Sequence, residues 1–373
     1  MLITPGSPAS LTPLPEVLFP FADGTVETLL WDEENWTWYW LQPDGTRKRL
    51  RGCTKTCHIM SKGDVLVNWV RKVCLAKLRE LIVTRHLGPD NALQLFVTEL
   101  DAAIAEAKKE NERVLDDAAS VGKIAHSHVE RWIRAVLSSN TDEVNRLTTE
   151  MPINPADPAD KRAEHCVTAA LQWASDHNVR FESTEQPVFS REFEYAGTCD
   201  GTALVDSCFD PACCPVAFKD HRSIIDHKTS NATVPYLEYV FQVCSYQHAI
   251  EEQKNISFED RWINLYDKVS GKFRAWRFAG RDQYERGFKG FKRCLALTAS
   301  KEQGQAELDE MRDARKAVLA IRAAEEKAAA NRIACPKSTE YKGVKLSKCL
   351  PDGTQCQACK SKYEEKHGSP ESK

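Results

Sequence analysis

The sequence predicts a mixed α/β (α+β) fold, a central mixed sheet flanked by helices, and three observations lead there. Helical periodicity dominates up to about His177, after which RFESTEQPVFS, REFEYAGTCDGTALVD and RSIIDHKTS read as extended segments. A helical stretch, VPYLEYVFQVCSYQHAIEE, follows, and RWINLYDKVSGKFRAWRF then reads as two strands around a turn at Gly271. Strands interleaved with helices in this order place helices against a sheet.

The elements follow in chain order. Met1 to Glu16, rich in Pro, Ser and Thr, reads as a flexible lead. WTWYWLQPDGTRKRLR gives an N-terminal hairpin, because Pro43-Asp44-Gly45 is a turn sequence between two strand-like runs. Ser61 to Arg85 is helical, with Val65, Trp69, Val73 and Leu81 among its apolar positions, and Gly88-Pro89 ends it. A second helix spans about Ala92 to Asp117, and a third starts near Ala118 and carries GKIAHSHVERWIRAVL. TDEVNRLTTEMPINPADPAD reads as a linker with one helical turn, since its Pro and Asp content opposes regular structure. A helix from about Lys161 to His177 precedes the extended segments. Lys301 to Arg332 is Ala-rich and charged, with Leu308, Met311, Val318 and Ile321 tending to one face, so a long helix packed along one stripe is expected. The resulting division is a lead and hairpin (1–60), the main domain with a helical N-terminal part (61–298), a long charged helix (299–333) and a Cys-rich, metal-binding tail (334–373).

A chain of 373 residues can bury a substantial core. Its net charge of −3 does not advertise a nucleic-acid partner, although global neutrality can hide local basic tracts. MLITPGSPASLTPLPEV lacks the basic and apolar regions of a signal peptide, and no apolar run approaches membrane-spanning length, so a soluble cytoplasmic protein is expected. Most of the 14 cysteines are scattered through core-like segments and read as small buried side chains in a reducing compartment. Cys208, Cys213 and Cys214 fall in a loop between two strands and receive no role.

The sharpest local pattern is Ile224-Ile225-Asp226-His227-Lys228-Thr229-Ser230. Side chains alternate along a strand, so Asp226 and Lys228 share a face. A carboxylate can hold a hard divalent cation, and an ammonium beside it can orient water or neutralise developing negative charge, which suits phosphodiester hydrolysis. An isolated acid-x-lysine is more often an ordinary surface ion pair, so the surroundings decide. Asp200, within Tyr195-Ala196-Gly197-Thr198-Cys199-Asp200-Gly201, lies in the preceding strand, and antiparallel pairing brings it beside Asp226. Two carboxylates at one point repel unless a cation binds. Upstream, His126 and Glu130 stand at i and i+4 on the helix bearing Gly122, and an imidazole ligand favours manganese over pure magnesium chemistry. Gln242 and Tyr246 repeat that spacing on the helix after Lys228.

Taken in order, these motifs resemble the RecB-like branch of the PD-(D/E)XK nuclease superfamily, which includes phage exonucleases and CRISPR-associated iron-sulfur exonucleases. The resemblance covers about Cys53 to Phe278. In that family a helical G-x-x-x-H supplies a metal-binding histidine, matched by Gly122 and His126, and a G-x-x-D acid is matched by Asp200. The acid-x-lysine is matched by Asp226 and Lys228, and a Q-x-x-x-Y helix beside the active site and the DNA by Gln242 and Tyr246. The resemblance implies a restriction-endonuclease-like core and hydrolysis of DNA by water activated on magnesium or manganese. The implied ligands are His126, Asp200, Asp226 and the His227 carbonyl, with Lys228 positioning the water and Glu130 as a helper. It also implies an exonuclease acting on single- or double-stranded DNA ends in recombination, repair or phage replication, in a bacterial cell or phage-infected host. No G-x-x-x-x-G-K-[ST] occurs, so a helicase or recombinase partner is expected to be a separate chain. An endonuclease of the same fold and a non-catalytic DNA-binding module on the same scaffold stand as alternatives.

Two further features bear on DNA and on metal. Between Arg261 and Thr298, ten Lys or Arg stand against three Asp or Glu, interleaved with aromatics, so Lys272, Arg274 and Arg277 are expected in a DNA groove. Cys335, Cys349, Cys356 and Cys359 include a C-x-x-C knuckle and suit either tetrahedral zinc or an iron-sulfur cluster such as 4Fe-4S. The family pattern places one cluster cysteine upstream, which Cys53 or Cys57 matches.

Overall fold

The computed structural model describes residues 14–60, 70–77, 80, 92–150, 158–211 and 213–330. Strands β1 (Glu16–Pro20), β2 (Val26–Asp32), β3 (Thr37–Leu41) and β4 (Arg47–Arg49) form an antiparallel meander in chain order. The expected hairpin is its second half, closed by Gly45 at φ +81°, a conformation that residues with a Cβ avoid. The first half escaped prediction because Leu29 and Leu30 are both buried, which erases the period-two pattern in β2.

No boundary falls at residue 60. Phe19, Phe21, Leu29, Trp38 and Leu50 of the meander region pack with Phe189 and Ala196 of the main sheet. The short strand β5 (Arg51–Gly52) pairs parallel with Tyr195 and Ala196 of the main sheet, and the helix α1 (Cys53–Cys57) follows it directly. The contacts divide the chain between Thr298 and Ala299, where the sequence also suggested a division.

The main sheet contains β6 (Arg180–Ser190), β7 (Tyr195–Val205), β8 (His221–Thr229), β9 (Asp260–Tyr266) and β10 (Phe273–Ala279). Its order is β10-β9-β8-β7-β5, with β6 also paired to β7. Neighbours are antiparallel except β8 with β9 and the short β5 with β7. A parallel step needs a crossover, and α5 (Leu237–Lys254) supplies it. Every residue of β9 is buried, as expected for a central strand covered on both faces.

Helix α2 (Ala92–Leu137) is unbroken where two helices were expected. Asp116-Asp117-Ala118-Ala119 contains neither Pro nor Gly, and Arg162 holds the Asp117 carboxylate through two hydrogen bonds of 2.7 and 2.6 Å. The expected linker holds a true helix, α3 (Thr141–Thr149), because the Asn140 side chain accepts the Glu143 amide at 3.1 Å and so caps it. Helix α4 (Pro158–Asp176) packs on α2 through Val121, Ala125, Val129 and Ile133 against Ala163, Cys166, Val167 and Ala170.

Helix α6 (Arg281–Ala330) starts well before the expected Lys301. Gly287 and Gly290 look like breaks in the sequence, yet they are close-approach points. A Cβ on Gly287 would collide with Cys244 Sγ, and one on Gly290 with the Phe241 ring, both on α5. Leu308, Met311, Val318 and Ile321, expected to pack along a stripe, are exposed. The tail cysteines Cys335, Cys349, Cys356 and Cys359 lie outside the described residues. Among the described residues, no helix is long and apolar enough to cross a membrane.

The two kinds of glycine on α6 should respond oppositely. Gly290→Ala is expected to destabilise the protein by about 1–3 kcal/mol through overpacking. Gly304→Ala, with open space around its Cβ position, should be stabilising by about 0.5–1 kcal/mol. Denaturant midpoints of the two variants check this.

Candidate active site

The site forms where the ladder between β7 and β8 ends. Pairing runs from Val205↔His221 to Gly201↔Ile225 and stops one step short of Asp200 and Asp226. In place of a main-chain pair, Asp200 Oδ2 accepts the His227 amide at 2.7 Å. On the other side of β7, Thr184↔Gly201 and Gln186↔Cys199 pair, while Glu185 between them adopts φ +44°. That left-handed conformation is sparsely populated for a residue with a Cβ and marks a local interruption of the strand.

Helix α2 brings His126 to the same point. A Cβ on Gly122 would stand 3.2 Å from Thr229 Oγ1, so the missing side chain lets α2 approach the end of β8. One ligand atom each of His126, Glu185 and Asp200 lies within 4.8 Å of the others. Glu185 was not foreseen. It lies in the strand-like RFESTEQPVFS next to the Asp200 strand, but only the interrupted backbone, which no side-chain periodicity reports, joins it to Asp200.

Asp226 and Lys228 share a face of β8, as alternation requires. Lys228 Nζ donates to Asp226 Oδ1 at 2.7 Å, with the Asp226 side chain 0% exposed and that of Lys228 20%. Asp226 Oδ2 is buried and has no hydrogen-bond partner. His227 points away from this pair, and its Nδ1 bonds the Tyr266 hydroxyl at 2.7 Å. The His227 backbone also hydrogen-bonds the His126 ring.

Burial dominates the electrostatics. It pushes the Asp226 carboxyl up to about 7, with Lys228 opposing and Asp200 adding to the rise. Burial, then the charges of Asp200 and Glu130, push Glu185 up to about 8. Burial also opposes a charge on Asp200, but Lys228, His126, His227 and the bound amide outweigh it and hold Asp200 below the usual carboxylate range. The His126 imidazole is lowered by burial and that of His227 falls to about 4, so both rings are neutral and keep a lone pair. A neutral imidazole, an Asp200 charge that opposes ionisation of both Asp226 and Glu185, and an orphaned buried oxygen fit a hard divalent cation. His126, Glu185 and Asp200 would hold it, while Asp226, expected as a ligand, is not part of that group of ligand atoms within 4.8 Å of one another.

The remaining sequence-derived residues have other partners. Glu130 pairs with Arg134 at 2.7 Å, although its charge still acts on Glu185 and His126. Gln242 and Tyr246 are buried rather than facing a groove. Gln242 Nε2 donates to the Tyr246 hydroxyl at 2.5 Å and to Thr54 Oγ1 at 2.8 Å, which ties α5 to α1. Nearby His128 is structural, its Nε2 bonding the Leu147 carbonyl at 2.8 Å. Arg277 is corrected from a DNA-facing to a structural residue: Nε pairs with buried Asp260 at 2.8 Å, and the guanidinium lies 3.7 Å over the Phe218 ring. Arg274 faces Asp267 at 3.5 Å, and Lys272 precedes β10. Cys53 and Cys57 are buried in the main core. A second group, His177 with Cys208, Cys213 and Cys214, could also hold a metal ion.

The raised carboxyls set a pH dependence. In the folded, metal-free protein Asp226 and Glu185 keep protons to about pH 7 and 8, whereas their ordinary values are 3.8 and 4.5. The unfolded state therefore binds fewer protons across this window, so their contribution to stability falls as pH rises and is fully lost above the folded values. The lowered histidines no longer titrate above their ordinary 6.5. Thermal unfolding of metal-free protein between about pH 6.5 and 8.5 should show a stability decline that Glu185→Gln flattens. Manganese should raise the melting temperature more at the alkaline end, where it competes with fewer protons. An equal rise at both ends would refute this assignment.

No family model matches the chain, and no curated protein matches it. Among solved structures, the one titled "Crystal structure of SSO0001" aligns with 48% of this chain and 84% of its own at 10% identity, with a TM-score of 0.23. A likeness at that score carries no argument about fold or function.

Proposed function

We propose that this protein is a metal-dependent deoxyribonuclease with a PD-(D/E)XK core, acting as an exonuclease at DNA ends. The observation that carries the reading is the fully buried Asp226, paired with Lys228, left with a free oxygen and opposite Asp200 just beyond the last pair of the β7–β8 ladder. The exonuclease assignment, and roles in recombination, repair or phage replication beside a separate helicase or recombinase, rest on the motif resemblance.

A bound magnesium or manganese ion would supply Lewis acidity and lower the pKa of a coordinated water. Lys228 keeps its proton, because Asp226 and Asp200 raise its pKa against the penalty of burial. Its Nζ can therefore donate to an attacking water or to a phosphoryl oxygen as charge develops there. Asp226 Oδ1 fixes that ammonium, leaving Oδ2 as an acceptor. Neutral His126 offers a nitrogen lone pair, and the His227 amide holds Asp200 in one orientation. Lys272 and Arg274 are the proposed phosphate contacts.

Degradation of linear double-stranded DNA with magnesium or manganese tests the reading. Asp226→Asn, Asp200→Asn and Lys228→Ala are each expected to lower the rate by on the order of 10²-fold or more while circular dichroism stays unchanged. Glu185→Gln should also lower it and shift the metal requirement to higher concentration. Wild-type rates in all four variants would remove the site from the reaction. Cleavage of closed circular DNA at the rate of linear DNA would replace the exonuclease reading with an endonuclease.

A further inference from the structure

The active-site reading leaves His177, Cys208, Cys213 and Cys214 unused. His177 directly follows α4, and the three cysteines lie in the connection between β7 and β8. His177 Nε2 stands 3.5 Å from Cys213 Sγ and 3.8 Å from Cys214 Sγ, and the two sulfurs are 4.0 Å apart. One ligand atom of each of the four residues, Cys208 included, lies within 4.8 Å of the others.

These separations match the edges of a coordination tetrahedron. Zinc bonds of about 2.3 Å to sulfur and 2.0–2.1 Å to nitrogen imply sulfur–sulfur edges of about 3.8 Å and sulfur–nitrogen edges of about 3.6 Å. A disulfide needs about 2.0 Å between sulfurs, and Cys208, Cys213 and Cys214 are all three free thiols.

The histidine is prepared for such a role. His177 is 0% exposed, and its Nδ1 lies 3.0 Å from the Trp173 carbonyl. A carbonyl only accepts, so Nδ1 carries the proton and Nε2 presents its lone pair to the thiols, the arrangement by which a second partner fixes a metal-ligating histidine. The connection itself has little core: Phe209 and Val216 are exposed, and Pro211 and Pro215 oppose regular pairing. A chain segment with few apolar anchors gains most from a metal staple.

We propose that His177, Cys208, Cys213 and Cys214 form a structural zinc site that clamps the β7–β8 connection to the end of α4. The connection leaves β7 five residues after Asp200 and enters β8 five residues before Asp226. Trp173 touches both regions, with ring centroids 5.4 Å from His177 and 6.3 Å from His227. The clamp therefore steadies the two strands that carry the acids, without touching the reacting atoms.

The test uses the full chain, and it must separate this site from the tail cysteines. A variant with Cys335, Cys349, Cys356 and Cys359 all changed to Ser should still purify with one zinc per chain. Zinc-edge X-ray absorption should report three sulfurs and one nitrogen. Adding Cys213→Ser and Cys214→Ser should remove that zinc. Those additions can impair folding, so cobalt exchange into the tail variant gives a second readout: the visible bands of tetrahedral thiolate-bound cobalt are expected. A folded tail variant without zinc and without those bands overturns the proposal. A brown tail variant containing iron and labile sulfide also overturns it, in favour of a cluster.

Discussion

Lys228 and Asp226 form a 2.7 Å ion pair on a strand with no solvent on the carboxylate, and a second acid, Asp200, stands opposite Asp226 on the neighbouring strand. Removing such charges from water costs several kcal/mol per ion unless other groups compensate. One ammonium cannot neutralise Asp226, Asp200 and Glu185 together. The neighbourhood answers in three ways. The His227 amide binds Asp200, both nearby imidazoles stay neutral, and Asp226 and Glu185 hold protons well above their usual range. Each response is what a site does when a positive charge is missing, and a divalent cation would replace the protons.

The sheet makes this concentration of charge geometrically possible. Beyond Gly201 and Ile225 the β7–β8 ladder ends, so main-chain donors and carboxylates meet where pairing would otherwise occupy them. The sheet is fixed from behind at β7 and β9. Gly197 admits Cys53 and Tyr246, its Cβ position lying 2.8 Å from Cys53 Sγ and 3.2 Å from Tyr246 Cε1. Gln242 then links Tyr246 to Thr54 on α1. The buried Arg261 of β9 is held by the Gln247 side chain at 2.7 Å and the Gly280 carbonyl at 2.9 Å, which anchors the parallel neighbour of β8. Polar residues inside the core here act as fixtures for strands that carry charge.

Which parts could be read from sequence follows from which depend on local periodicity. Asp226 and Lys228 were legible because strand alternation fixes their common face, and Asp200 because antiparallel pairing puts it opposite. Helical i, i+4 spacing placed Gln242 and Tyr246 together, but it could not report that both are buried. The α2 interruption expected near Ala118 is absent, since Asp116 and Asp117 are only weak helix formers, Ala118 and Ala119 are strong ones, and the helix packs along α4. Arg277 looked like a phosphate contact because charge in a basic tract says nothing about a partner; its partner, Asp260, is itself buried on the adjacent strand. Glu185 was invisible for a stricter reason. Its place beside Asp200 arises from a positive φ in mid-strand, and no residue-type pattern encodes that.

The same limit hid the second metal-ligand group, because His177 and the three cysteines come from an α-helix end and a loop separated by strands β6 and β7. Set side by side, the two groups differ in softness. Carboxylate and imidazole donors gather around Asp200, while three thiols and one imidazole gather at His177. Hard oxygen donors favour magnesium or manganese, and thiolates favour zinc, so donor type alone sorts the ions. The sorting matters because the connection that carries the thiols joins the strands that carry Asp200 and Asp226: under the proposed function, a zinc ion captured at the acids would take the place of magnesium or manganese. The proposed thiolate site, with its softer donors, would hold zinc in a structural position, and Trp173 packs against both His177 and His227.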